Sequence, residues 1–280
     1  MTTLPPEKFI IFDYSGVLSL EAPRFGRPDN LVRALEESGL AALGVATPEI
    51  FWENIVNPTW IEGSTTATGY ARVMAERIAA LSLAPDAPKS EIETAASRFV
   101  AKYLAFSRID PRWRPVLARL SEHPAAFTVI ATDHYAEATG KIIGYLNSWG
   151  IPGRKIGTGE ESPSLPASKF VVANSADIGV WKADRRFWEI LKSQLPLTAV
   201  RRILLIDDFG LNEESGDSYG VRAKVLARQE KTIANLEETF QAVVGVAPFY
   251  LPGETRESEE AGAGLIVETA ALIDEFLEKT

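Results

Sequence analysis

Residues 9–12, Phe-Ile-Ile-Phe, form an unbroken apolar run that ends at Asp13. That is the pattern of a strand covered on both faces in a parallel sheet. From residue 19 to about 110 the apolar positions recur instead at helical spacing. Leu31, Ala34 and Leu35 repeat along 29–38, and Gly39 stops the run. Thr47 can cap a short helix through Phe51 and Trp52. Segments 66–83 and 89–106 read as longer amphipathic helices, the second with Ile92, Ala95, Phe99 and Tyr103 on one face. Beyond Pro111 the two patterns alternate. Strands are predicted at 126–131, 170–173, 202–206, 223–226 and 265–267. Helices are predicted at 112–121, 136–149, 184–195, 212–219, 232–243 and 270–278. Segments 151–168 and 245–263, rich in Gly, Pro and polar residues, read as loops.

Strand–helix alternation on either side of an all-helical block predicts an α/β fold. Residues 1–18 and 111–280 would form a parallel-sheet core, with residues 19–110 inserted after the first strand as a helical cap. Linkers are expected near 18–28 and 107–111. The chain has 280 residues, 46% of them hydrophobic and 24% charged, an ordinary globular composition. A net charge of −9 argues against nucleic acid or an anionic membrane as partner. With no cysteine there is no disulfide and no thiolate nucleophile, which is compatible with a cytoplasmic protein. The amino terminus lacks the basic-then-apolar order of a signal peptide, and no apolar run is long enough to span a membrane.

In open parallel sheets, ligands bind beyond the carboxyl ends of the strands. Three predicted strands end there in polar groups: Asp13, the trio Thr132-Asp133-His134, and the pair Asp207-Asp208, followed by Asn212. Lys182 opens the Lys-Ala-Asp-Arg-Arg-Phe-Trp helix. Together these supply a carboxylate nucleophile, a hydroxyl, an ammonium and a second acidic pair. Individually each has a plainer reading. Asp13 could cap a turn, and Thr132, Asp133 and His134 could cap the following helix.

The set and its order resemble the haloacid dehalogenase superfamily over nearly the whole chain. Gly-Val-Trp-Lys-Ala-Asp-Arg-Arg-Phe (179–187) and Leu-Leu-Ile-Asp-Asp-Phe-Gly-Leu-Asn (204–212) are similar to its third and fourth motifs. The resemblance implies a Rossmann-like core with an α-helical cap. It implies Asp13 as nucleophile, Thr132 as phosphoryl hydrogen-bond donor and Lys182 as charge-neutralising group. It further implies a Mg2+ ion held by Asp13, Asp208 and the Ser15 carbonyl, with Asp207 or Asn212. Tyr14, Ser15, Gly16 and Asp133 would border a small phosphorylated substrate, the amides of residues 14–16 cradling its oxygens. The sequence does not name an oligomeric state.

One position departs from the family's phosphatases. They carry an aspartate two residues after the nucleophile, to protonate the leaving group and then activate water; this chain has Ser15. Loss of such a group costs about 10²–10⁴-fold in rate. The expectation is therefore a Mg2+-dependent phosphatase with other acid/base provision, from water, His134, Asp133 or a cap residue. The alternatives are 2-haloacid dehalogenation, phosphonate cleavage through a Schiff-base lysine (Lys89 or Lys102), and a pseudo-enzyme that binds a phospho-ligand. Phe51, Trp52, Trp60 and Tyr70 fit the cap's core better than a pocket wall, and 60–66 reads as a cap turn.

Overall fold

The computed structural model describes residues 6–158, 170–251 and 259–279. Six strands pair entirely in parallel: β1 (Lys8–Phe12), β2 (Ala126–Thr132), β3 (Gly153–Ile156), β4 (Phe170–Asn174), β5 (Arg202–Asp207) and β6 (Val243–Pro248), in spatial order β3-β4-β2-β1-β5-β6. The fold is α/β. β1 lies at the centre, with Phe12 opposite Ile130 on β2 and Ile206 on β5. That register brings the residues after all three strands to one edge, where the chain order reverses direction across the sheet and a ligand crevice is expected.

Strict alternation divides β1 between two cores. Ile10 and Phe12 pack with Trp113, Leu117, Ile142 and Phe249 on one face, while Phe9 and Ile11 pack with Phe187, Trp188, Leu191 and Phe240 on the other. Burial on both faces explains the unbroken apolar run. Phe25, Leu31, Leu35, Phe51, Met74, Ile78 and Phe99 form a third core above the strand ends, belonging to the inserted helices and joined by Tyr135 from below. The two chain crossings run side by side: Asp110 N donates to Leu18 O at 2.8 Å, and the Tyr14 hydroxyl donates to Ser107 O.

Two contacts lock the inserted helices onto the sheet. Gly69 has φ +87° and starts the helix Tyr70–Ala80, whose first amides, Tyr70 N and Ala71 N, donate to the Glu137 carboxylate at 2.8 and 3.3 Å. Ser64 O accepts from Ser175 Oγ at 2.5 Å, while Ser64 Oγ accepts from Trp181 Nε1 at 2.7 Å. Gly63 sits so close to Tyr135 that a Cβ would lie 2.3 Å from the ring.

Several elements differ from the sequence reading. The helix predicted over 66–83 begins only at Tyr70, and residues 60–65 belong to a separate helix, Asn57–Thr65, rather than a turn. A wide helical segment, Ile50–Val56, precedes it. Segment 223–226 is not a strand but part of the long helix Arg222–Phe240, rich in Ala, Lys, Arg, Glu and Gln. The sixth strand is Val243–Pro248, an exposed edge where Pro is tolerated at the end. Segment 265–267 likewise lies inside the helix Glu259–Glu278, and 212–219 holds only a short turn at Ser218–Gly220. Part of the loop read at 151–168 is β3; its remainder from 159 lies outside the described residues. Among the described residues no helix is long and apolar enough to cross a membrane.

Candidate active site

β1 and β5 are adjacent and parallel, so the residues that follow them face one another. One oxygen from each of Asp13, Asp207 and Asp208 lies within 4.8 Å of the others, and all three side chains are buried. Lys182, 2% exposed, reaches in from the turn before helix Arg185–Gln194, with Nζ 2.8 Å from Asp13 Oδ2 and 2.8 Å from Asp207 Oδ2. Burial alone would lower the lysine's pKa. Asp13, Asp207 and Asp133 outweigh it, so the ammonium stays charged. Burial raises Asp13 well above the usual carboxylate range and Asp207 adds to it, against Lys182. Asp208 is pushed to about 6 by burial and by Asp207, against hydrogen bonds from Gly210 N at 3.0 Å and Asn212 N at 2.8 Å. Three buried carboxylates around one ammonium leave excess negative charge, and oxygen donors of this kind suit a hard divalent cation such as Mg2+. Asp207 is engaged at both oxygens, by Lys182 and by Phe209 N at 2.6 Å. Asp13, bonded by Tyr14 N and Lys182, and Asp208, bonded by Gly210 N and Asn212 N, are engaged at both oxygens as well, so any of the three would share an oxygen with an ion.

The turn after Asp208 is strained. Phe209 adopts φ +54°, a conformation costing a non-glycine residue about 1–3 kcal/mol. It is held by Arg228, whose Nε donates to Phe209 O at 3.1 Å and whose guanidinium stacks 3.4 Å from the Tyr219 ring centroid. Tyr219 in turn donates to Asp133 Oδ2 at 2.8 Å, while Asp133 Oδ1 accepts from Lys182 N at 2.9 Å. Asp133 is thus a strut between the lysine turn and Tyr219. Thr132, at the end of β2, lines the cavity beside it.

Gly16 is required for two reasons. Its φ is +74°, and a Cβ would lie 2.6 Å from Asp208 Oδ2. Tyr14 departs from expectation: its side chain is buried in the core below the site, and its amide donates to Asp13 Oδ1 at 2.7 Å. With Gly16 N donating to Ser19 O at 3.0 Å, two of the three amides expected to cradle a phosphate already have partners. Asn212 also differs from the metal ligand expected. Nδ2 donates to Gly16 O and Phe249 O, and Oδ1 accepts from Leu251 N, so its side chain stitches three loops together.

Ser15 Oγ donates to Glu213 Oε1 at 2.7 Å. Glu213 was not found from the sequence. It follows Asn212 directly, but no spacing rule marks it, and only the folding of 208–221 beneath residue 15 brings the two together. Burial, with Asp217 and Asp208 nearby, pushes its pKa to about 8. His134 is a poor proton carrier by comparison. Its Nδ1 accepts from Tyr135 N at 2.8 Å, so in the neutral ring Nε2 bears the hydrogen and pairs with the Tyr103 hydroxyl at 2.8 Å. Burial among Tyr14, Tyr103 and Tyr135 lowers its pKa from 6.5 to about 4. Between those values the unfolded chain binds a proton that the folded chain refuses, so this group's stabilisation fades as pH falls through the window. Urea unfolding at pH 7 and pH 4.5 is expected to show a shallower loss of stability in His134→Gln than in the parent; equal losses would refute the assignment.

Above these groups lies a cavity of about 70 Å3. Its floor includes Asp13, Ser15, Thr132, Asp133 and Asp208. Its walls include Phe25, Phe51, Trp52, Trp60, Tyr70, Phe99, Tyr103, Tyr135 and Tyr219, with Glu213 and Asp217 between them. The cap aromatics read as core are therefore core and wall together. No lysine or arginine is among the described lining residues. Lys89 and Lys102, the cap's candidate Schiff-base lysines, instead pair with Glu93 and Glu37 on the surface.

No family model and no curated protein matches the chain. Among solved structures it is similar to the crystal structure of 2-haloacid dehalogenase from Pseudomonas syringae pv. Tomato DC3000, at 17% identity and a TM-score of 0.46, over 76% of this chain and 83% of that one.

Proposed function

We propose that the chain is a hydrolase of the haloacid dehalogenase type that cleaves a compact phosphomonoester with a Mg2+ ion. The observation that carries this reading is the buried trio Asp13, Asp207 and Asp208 around Lys182, on the floor of a capped cavity. Asp13 and Asp208, with the Ser15 carbonyl, would hold the ion, which supplies positive charge to the phosphoryl oxygens. Asp13 attacks phosphorus; an Asp13–phosphorus bond forms as the ester oxygen leaves. Lys182 keeps Asp13 oriented and offsets charge, and Thr132 hydrogen-bonds the phosphoryl group. Glu213, through the Ser15 hydroxyl, gives the leaving oxygen its proton. It then takes a proton from the water that attacks phosphorus and frees Asp13.

The site's charge speaks against a 2-haloacid. Displacement of halide by Asp13 needs no cation, whereas the buried excess of carboxylates at Asp13, Asp207 and Asp208 favours a reaction that brings a divalent cation in. The test is phosphate release from a panel of small phosphomonoesters. Release is expected with Mg2+, to be lost in EDTA, and to fall by about 10²-fold or more in Glu213→Gln. Halide release from 2-haloacids that persists in EDTA, with no phosphate release, would overturn the proposal.

A further inference from the structure

We propose that the substrate's leaving group is an organic ammonium, received by the aromatic cap walls and Asp217; this deepens the phosphatase reading and rests on it for the word substrate. The walls form a box of ring faces and edges. Tyr70 and Tyr135 stack at 3.7 Å, and Trp60 meets Tyr135 edge-on at 5.2 Å and Tyr219 at 5.5 Å. Aromatic faces attract cations, and the attraction grows when the site is dry. The buried Tyr135 hydroxyl lies against that of Tyr70, and its oxygen keeps a lone pair that can accept from an ammonium N–H or face a methylated one.

The charges in the wall point the same way. Asp13 and Asp208 serve the ion and Lys182, Asp133 is tied to Lys182 N and the Tyr219 hydroxyl, and Glu213 is bonded to Ser15. Asp217 remains. Its Oδ1 accepts from Tyr219 N at 2.8 Å, and it lies close enough to Tyr70, Tyr103 and Tyr135 to act on all three hydroxyls. Of the two cations that act on it, Arg228 and Lys224, neither is among the described lining residues, and Arg228 is occupied by the Tyr219 ring and the carbonyls of Phe209 and Tyr219. A carboxylate in an aromatic box, with no lysine or arginine among its described lining residues, selects a small cation over an anion.

Binding separates this proposal from turnover. Choline and its neutral isostere 3,3-dimethylbutanol are titrated into the full chain by calorimetry, without any phosphate ester. Choline is expected to bind about tenfold more tightly than the alcohol. Asp217→Asn, which keeps an oxygen to accept from Tyr219 N, is expected to lose about that factor for choline and none for the alcohol. Trp60→Leu should weaken choline as well. Equal binding of the two probes, binding of neither, or choline affinity unchanged in Asp217→Asn overturns the proposal. Phosphocholine and 3,3-dimethylbutyl phosphate then serve as paired substrates. Choline binding without hydrolysis of any ester removes the phosphatase reading and leaves the cation site. Hydrolysis with no preference for phosphocholine, together with equal probe binding, removes only the cation site.

Discussion

Asp13→Asn is expected to abolish phosphate release, by about 10⁴-fold or more, while making the apo protein harder to unfold. The two effects have one origin. Asp13 shares a buried space with Asp207 and Asp208 and only one ammonium. Burial, then Asp207, raise its pKa well above the ordinary value. A carboxyl whose folded pKa exceeds its unfolded one stabilises the fold at low pH and loses that contribution as pH rises through the folded value. Through the pH range in which it ionises, the buried group is therefore a burden that the isosteric amide lacks. Removing it is expected to stabilise by about 1 kcal/mol, a rise of about 2–4 °C in melting temperature for a chain of this size. Scanning calorimetry in EDTA checks the gain, and adding Mg2+ should narrow the gap because the cation relieves three carboxylates in the parent and two in the variant. A variant that is inactive and also less stable would indicate a structural role for Asp13 rather than a nucleophilic one.

Lys182→Met should do the reverse and damage both properties. The methionine fills the volume but leaves Asp13 and Asp207 without their shared counter-charge, 2.8 Å away in the parent. Breaking a buried ion pair from one side typically costs about 3–5 kcal/mol. Urea denaturation reads this directly. Adding Asp207→Asn to Lys182→Met should recover part of the loss, because it removes one of the orphaned anions and groups in direct contact do not behave additively. Failure of the second substitution to recover any stability would mean that the lysine's alkyl chain, not its charge, holds the site together.

The parts of the site that announced themselves in the sequence are those where chain position alone sets direction. A buried strand in a parallel sheet leaves its edge at a known place, so Asp13, Thr132 and the Asp207-Asp208 pair could be located from apolar runs that end in polar residues. Lys182 was legible only through its motif spacing. Glu213 and Asp217 were not, because the loop from 208 to 221 is irregular and its direction is set by tertiary contacts: the left-handed Phe209, the Asn212 amide and the Arg228 guanidinium. The aromatic walls were only half legible for a related reason. Helical periodicity shows that Phe51, Tyr70 and Phe99 face inward, but a ring that packs on a neighbour and a ring that borders a void leave the same pattern. The edge strands β3 and β6 were lost among glycine, proline and half-exposed positions, since an edge needs little of the apolar continuity that marks β1.

Glu137 gives the cap a resting position. The helix Tyr70–Ala80 has no side-chain cap of its own, and its first two free amides are satisfied only by a carboxylate on the sheet domain. Swinging the cap away would strand those amides and withdraw negative charge from the positive end of a helix dipole, a cost of about 1 kcal/mol before any hydrophobic contact is lost. Glu137 thus caps a helix of the inserted domain from the sheet domain, tying that helix end to the closed position. If the cap swings away, those two bonds break first, so the amide protons of Tyr70 and Ala71 are the reporters to follow by hydrogen exchange.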